Sequence, residues 1–359
     1  MKQMLHIRCK NNKKIKDVAI GSTLSEVFDE FKLEMPFGPI CARVNNKVCG
    51  MNLCLYHNKD VEFLDMYNSS AQRNYTRTLF FILCKAVHDL YAGSEVVIDI
   101  PVSNGYYINL KIGHEVSEED AVRIRERMQQ IIDAKIPIVR YQVPTEYAIE
   151  MFEHKGDEAK VKLLRSIGSL YTVYHQIDDY VDYYYGSLLP NTGDIYLFGL
   201  EKYYEGLLLR IPSKENPAKL GELIRQDKMF EVFLEQHRRQ HILGVSTVGD
   251  FNEAVQQGHA TDMINISEAL QEKKISQIAD RIAMHPDVRM VLIAGPSSSG
   301  KTTFCKRLSI QLLANGIRPV QISLDDYFVD RHRTPLDSNG DFDYESLYAL
   351  DLQLINEQF

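Results

Sequence analysis

Residues 295–302 carry the clearest chemical pattern of the sequence, G-P-S-S-S-G-K-T. In such a loop, glycines let successive backbone N–H groups turn toward one anion, and the N-terminus of a following helix adds its positive end. Lys301 would reach the β- and γ-phosphates of a nucleotide, and the Thr302 hydroxyl would bind Mg²⁺. The pattern predicts a P-loop for ATP and Mg²⁺. The predicted cofactor-binding residues are Gly295, Pro296, Ser297, Ser298, Ser299, Gly300, Lys301, Thr302 and Thr303.

The two flanks of this loop fit the same interpretation. Residues 288–294 are apolar and β-branched, which predicts a strand buried in a parallel sheet. Residues 303–315 place apolar side chains at helical spacing before Gly316, which predicts a helix. A Gly/Ser-rich loop that matches by chance is the alternative, but it would not explain both flanks.

A second apolar run, residues 319–324, predicts another strand and leads into Asp325, Tyr327 and Phe328. Ligands collect at the carboxyl ends of strands in doubly wound sheets, so these side chains would face the phosphates. An Asp there could hold Mg²⁺ through water or take the proton of an attacking hydroxyl, and the aromatic rings could sandwich a base. A solvated strand end is the alternative.

The P-loop, the S-L-D-D-Y-F stretch at 323–328 and D-F-D-Y-E at 341–345 resemble the uridine kinase and phosphoribulokinase-like family. The resemblance implies that Asp325 is the catalytic carboxylate, a general base that activates a nucleoside 5′-hydroxyl. Lys301 of the predicted P-loop is the second predicted catalytic residue. Tyr327 and Phe328 would then contact the base, and Asp343 the ribose hydroxyls. The Tyr-Glu pair at 344–345 stands where uridine kinases often show His-Pro, which leaves the nucleoside open.

The segment at 286–359 is shorter than the roughly 100–200 residues expected of a complete domain of this kind. Either the sequence holds only the N-terminal part of a kinase domain, a partial parallel α/β sheet within a longer protein, or the kinase half is a remnant. The first alternative is favoured because a truncated sheet with an open edge would be poorly stable.

Length and composition limit the number of domains and the class of protein. A chain of 359 residues with 45% hydrophobic and 25% charged residues predicts two or three globular domains. The formal net charge of −8 argues against nucleic-acid binding by the whole surface but leaves a local basic groove open. No stretch reads as a membrane span or signal peptide, so we predict a cytoplasmic protein without membrane contact. The six cysteines form no C-x-x-C pair and are interpreted as buried thiols.

Residues 1–66 predict a small β-grasp domain. Alternating strands, a helix that starts with a Thr23/Glu26 capping box, and a hairpin at Asn45-Asn46 follow in that order. The segment resembles the TGS module of threonyl-tRNA synthetases, which implies an adaptor that contacts RNA or a neighbouring domain.

Residues 67–242 resemble the α+β editing domain of the same synthetases, through 152–160 and 190–193 among scattered positions. That domain uses a His-x-x-x-His and a later Cys with a nearby His, which suit metal or water activation. We aligned this sequence with the editing domain at residues 86–91 and 190–192. The four positions are then occupied by Arg77, Phe81, Tyr184 and Leu188. These side chains cannot activate water, so the resemblance implies an editing fold without its chemistry. Tyr183, Tyr184 and Tyr185 offer stacking faces for RNA or belong to the core.

A predicted helix at 216–241 places His237 and His241 four residues apart. That spacing can hold a metal, but without a third ligand a solvated helix face is favoured. Residues 243–285 predict a connector that ends in a helix at 267–283.

The sequence predicts a multidomain α+β and α/β protein. Its predicted function is that of an ATP-dependent kinase of a uridine- or cytidine-like ribonucleoside, with a synthetase-like regulatory N-terminal half. The alternative is an RNA- or nucleotide-responsive binding protein in which ATP is bound without phosphoryl transfer. Possible partners in either case are tRNA or another RNA at the N-terminal half, and the oligomeric state is left open.

Overall fold

The chain forms two compact units, residues 1–257 and 258–359, in a computed structural model that describes residues 4–358. No helix among these residues is both long and apolar enough to cross a bilayer.

The first unit begins with a five-stranded mixed sheet and one helix. Its elements are β1 (Met4–Cys9), β2 (Ile15–Ala19), α1 (Leu24–Phe31), β3 (Cys41–Val44), β4 (Lys47–Cys49) and β5 (Lys59–Leu64). The strand order is β2-β1-β5-β3-β4, with β1 and β5 parallel at its centre. The capping box of Thr23 and Glu26 is confirmed at the start of α1, and Asn45 and Asn46 both adopt positive φ in the β3–β4 turn.

The remaining elements of the first unit build two further sheets with helices packed on them. In chain order they are α2 (Ser69–Leu90), β6 (Glu95–Val102), β7 (Gly105–Lys111), α3 (Glu118–Asp133), β8 (Val139–Pro144), α4 (Thr145–His154), α5 (Glu158–Ile167), β9 (Tyr171–Ile177), β10 (Tyr180–Asp182), β11 (Gly199–Tyr203), β12 (Gly206–Arg210), α6 (Asp227–Leu243) and α7 (Val248–Gln256). The sheets are ordered β11-β12-β7-β6 and β10-β9-β8.

Helix α2 is the centre of the largest core. Its apolar side chains pack with those of α3 and of the four-stranded sheet in one cluster. The Tyr75 hydroxyl donates to the carbonyl of Leu197 at 2.8 Å and accepts the N–H groups of Tyr196 and Leu197. The Thr78 hydroxyl accepts the N–H of Leu189 at 2.9 Å. Buried backbone groups of a distant loop therefore find their partners on this helix.

The second unit contains α8 (Ala260–Ala283), α9 (Lys301–Ala314) and α10 (Leu352–Gln358). Ile275 and Ala279 of α8 share a small core with Leu308 and Leu312 of α9. The helix predicted within the connector thus packs directly on the helix that follows the P-loop.

Three predictions of local structure need correction. Residues 288–294 and 319–324 form no ladder among the described residues, so the partial parallel sheet predicted for 286–359 is not built; Leu292 and Val320 are 84% and 85% exposed. Apolar, β-branched composition favours a strand, but only a paired neighbour satisfies its N–H and C=O groups. The helix predicted at 216–241 begins only at Asp227, because the preceding residues turn back in a Pro212–Leu220 bridge. The predicted connector is largely helical, in α7 and α8.

Replacing Tyr75 with Phe should destabilise the first unit by about 1–3 kcal/mol, because partly buried backbone groups of residues 196–197 lose their partner. Urea denaturation followed by circular dichroism measures this difference. The matched control is Tyr67→Phe at an exposed ring, where the change should stay within about 0.5 kcal/mol. Equal effects of the two substitutions would contradict the role given to Tyr75.

Candidate functional site

The loop at 295–300 is exposed and runs directly into α9. Gly300 caps the helix at φ +86°, a left-handed conformation that glycine adopts without strain. A Cβ on Gly295 would lie 2.8 Å from the Ser299 hydroxyl oxygen, so a larger residue there would require the Ser299 side chain to move. No side chain of the described residues caps the N-terminus of α9, which leaves its first N–H groups for an anion.

Lys301 folds back over this loop. Its ammonium donates to the carbonyl oxygens of Gly295 at 2.8 Å and Pro296 at 3.1 Å. The positive charge therefore lies beside the same loop whose backbone could surround a phosphate. These residues fit the phosphate part of a nucleotide, and the exposed Thr302 hydroxyl on the first turn fits a Mg²⁺ ligand.

The predicted acceptor-side residues lie in a separate part of the second unit. Asp325 is exposed on a short 3-10 helix, Leu324–Tyr327. The Tyr327 ring is buried and its hydroxyl donates to Gln358 at 2.6 Å, whereas the Phe328 ring is 43% exposed. Asp343 is half-buried and accepts the N–H of Glu345 at 3.1 Å. Among residues 258–358, no hydrogen bond or ion pair joins Asp325 or Asp343 to the P-loop, so their roles stay predictions.

The four residues registered on the editing centre meet along one side of α2. The rings of Phe81 and Tyr184 lie 5.3 Å apart, and Leu188 is buried. The guanidinium of Arg77 lies against Gly186, where a Cβ would stand 2.7 Å from Nη1. Burial lowers the pKa of Arg77 and raises that of Tyr184. Aromatic and aliphatic packing thus occupies the place that the resemblance assigned to water activation.

Beside this centre lies an ionic pair that the sequence did not single out. Lys160 of α5 contacts the carboxylates of Asp182 at 2.5 Å and Asp157 at 2.7 Å. Burial opposes the charge on Lys160, but its two acids keep its pKa raised. Lys160 belongs to the segment 152–160 that carried the resemblance, which was the available signal.

His175 of β9 is a second residue that sequence reasoning missed. It is only 3% exposed, and its Nδ1 has no hydrogen-bond partner among the described residues. Burial, with Arg140 nearby, lowers its pKa to about 4, so the ring is neutral at pH 7. The alternation of residues 171–177, with Val, Thr and Tyr, could have predicted the strand.

A cleft of about 1040 Å³ opens in front of His175 within the first unit. One wall comes from residues 47–56, which follow the β3–β4 turn. The facing walls come from β8, β9, α5 and residues 183–189. It is therefore a site candidate distinct in sequence from the P-loop.

The two histidines of α6 remain a pair on one helix. Across residues 4–358 there is no group of three or more His, Cys, Asp or Glu side chains arranged to hold a metal ion.

No protein-family model matches the chain. About half of it is similar to threonine–tRNA ligases. It is 27% identical over 192 residues to the ligase of Syntrophomonas wolfei, which is 53% of this chain and 30% of that protein. The identity is 30% over 193 residues for Natranaerobius thermophilus, covering 54% and 30% of the two chains. For Rubrobacter xylanophilus it is 24% over 245 residues, covering 66% and 38%.

The matched region thus spans about a third of the length of these relatives. The similarity supports the synthetase-like interpretation of the N-terminal half. The relatives are named as ligases, and the kinase interpretation of residues 286–359 stays a prediction.

The buried His175 should make the first unit less stable in acid. Its native pKa of about 4 lies below the usual value of 6.5, so the unfolded chain binds the proton more readily. The stability is complete above about pH 6.5 and falls as the pH drops toward 4. Between pH 7.5 and 5, wild type should lose more stability than His175→Gln, as measured by urea midpoints. The exposed control His57→Gln should lose as much stability as wild type over this pH range. An equal loss in His175→Gln would contradict the role given to His175.

Proposed function

We propose that the chain binds ATP and Mg²⁺ at residues 295–303 and serves as a phosphotransferase that acts on a uridine- or cytidine-like ribonucleoside. The observation that carries this proposal is the loop itself. It combines the positive-φ Gly300, the uncapped N-terminus of α9 and the folded-back Lys301 in one exposed segment.

In this proposal Lys301 would exchange the carbonyls of Gly295 and Pro296 for phosphate oxygens, since all are acceptors for the same ammonium. Backbone N–H groups of the first turn of α9 would donate to the same phosphates, and Thr302 would hold Mg²⁺. ATP would supply the γ-phosphoryl group.

Asp325 would accept the proton of the attacking 5′-hydroxyl, which requires it within hydrogen-bonding distance of that hydroxyl. Its full exposure leaves the carboxylate accessible to a substrate. Phe328 offers an exposed ring to a base, and Asp343 would accept from ribose hydroxyls.

In this proposal the N-terminal half regulates the kinase half and does not hydrolyse mischarged tRNA. The contact of Phe81 with Tyr184 fills the registered centre with aromatic carbon, and neither residue can take a proton from water at neutral pH.

Lys301→Ala should abolish nucleoside-dependent ADP formation, because the charge that positions the phosphates is lost. Asp325→Asn should lower the turnover rate at least 100-fold while ATP affinity changes little, since general-base catalysis typically contributes 10²–10⁴-fold. The measurement is coupled ADP release across a panel of ribonucleosides.

Lys306→Ala, at an exposed position on the same helix, and Asp326→Asn, next to the proposed base, are the matched controls and should behave like wild type. If no nucleoside stimulates ADP formation by the wild-type full-length protein, the kinase proposal is wrong. ATP binding lost in Lys301→Ala would still support the P-loop.

A second candidate function is RNA binding by the first unit. It is favoured by the similarity of about half the chain to tRNA ligases, together with a centre in which packing replaces hydrolytic residues. ATP would then act as a ligand without transfer.

Filter binding of tRNA at several salt concentrations tests this candidate. Each phosphate contact contributes about −0.7 to −0.9 to the log–log slope, so a slope of about −2 or steeper is expected for three or more contacts. Lys301→Ala should leave the tRNA affinity unchanged. Absence of binding at low salt would exclude the candidate.

A further inference from the structure

The cleft of the first unit has the size of a small-molecule site. Its volume of about 1040 Å³ lies at the upper end of the range for ligand pockets, roughly 300–1,000 Å³. All of its lining residues belong to residues 47–56, 138–142, 164–175 and 183–189. It is therefore separate in sequence from the loop that the proposed function uses.

Strand register places three polar side chains in a row on one face of the β10-β9-β8 sheet. His175 pairs with Arg140 on β8 and with Asp182 on β10, and directly paired residues project from the same face. His175 and Arg140 both line the cleft. The row therefore brings an imidazole and a guanidinium side by side.

One charged residue of this row has an ion-pair partner and the other does not. Asp182 is held by Lys160 at 2.5 Å. Arg140 is exposed, and no carboxylate of the described residues lies within ion-pair distance of it. The buried Nδ1 of His175 also has no partner there, although burying a polar group unpaired is costly. An anionic acceptor group would give hydrogen-bond partners to both residues.

Exposed aromatic rings surround the same cleft. Tyr56, Tyr171 and Tyr185 line it with 59%, 61% and 86% of their surface exposed. Flat, exposed rings near a cation suit a ligand that carries both an anion and a planar ring, because stacking adds to the charge contact.

We propose that this cleft is a second ligand site that binds a nucleoside monophosphate, with the phosphate on Arg140 and His175 and the base against the rim tyrosines. A small ligand is favoured over an RNA strand because Lys47 and Arg140 are the only lysine or arginine residues lining the described cleft. Two cations match one phosphate group, whereas a strand presents a phosphate at every nucleotide.

Equilibrium dialysis of the full chain with AMP, GMP, CMP and UMP tests the proposal, with the parent nucleosides and inorganic phosphate alongside. At least one monophosphate should bind saturably, and at least tenfold more tightly than its nucleoside and than phosphate. Arg140→Gln should weaken that binding about tenfold or more, because a charged hydrogen-bond donor is lost. His175→Gln serves as a second variant, and melting curves establish that both variants are folded.

The control Arg125→Gln, at an exposed position on α3 outside the cleft, should bind like wild type, and so should Lys301→Ala. The ring protons of His175, assigned by their loss in His175→Gln, should shift in NMR spectra as the monophosphate is added. Absence of saturable binding by all four monophosphates would overturn the proposal. So would binding that survives Arg140→Gln or disappears in Lys301→Ala. An Arg140-dependent affinity for tRNA without monophosphate binding would reassign the cleft to RNA.

Discussion

The hydrogen bonds between α2 and residues 187–197 hold the first unit together. Asn74, Tyr75 and Thr78 lie within five residues of one helix and bond groups more than 100 residues later in the chain. Leu189 is buried and the other bonds are partly buried, so the loop keeps these partners while it lies on α2. The same bonds fix where Phe81 meets Tyr184 and where the cleft wall at 183–189 stands.

The polar bonds and the positions registered on the editing centre largely occupy different residues of α2. The polar bonds lie on Asn74, Tyr75 and Thr78, whereas the registered positions are Arg77 and Phe81 on the same helix. Arg77 belongs to both sets, because its guanidinium donates to Asn74 Oδ1 at 3.0 Å and lies against Gly186 of the loop. Phe81 contributes ring packing against Tyr184.

Sequence reasoning succeeded where structure is determined by neighbouring residues. The capping box at Thr23/Glu26 forms within four residues, and it is confirmed. It missed β8, β9 and β10, because Tyr141 meets Tyr174 only after α4 and α5 have brought distant strands together. His175 was missed with them. Residues 288–294 show the opposite case, in which composition favours a strand but no described neighbour pairs with it.

The two candidate sites also differ in whether their residues are close in sequence. The role of residues 295–303 as a P-loop stays a prediction, but the loop could be proposed as a phosphate site from sequence because its glycines and Lys301 lie within a few residues of one another. The cleft could not, because Arg140 and His175 are 35 positions apart in sequence and become neighbours only through strand register. Sequence patterns report local geometry, and sites assembled across strands need the fold.

The central proposal is that ATP binds at residues 295–303 of the second unit. Photolabelling with an azido-ATP analogue and Mg²⁺, followed by peptide mapping, tests it most directly. The account predicts a labelled peptide from the second unit, residues 258–359, with labelling lost in Lys301→Ala and retained in Lys306→Ala. Labelling confined to residues 1–257, or unaffected by Lys301→Ala, would contradict it.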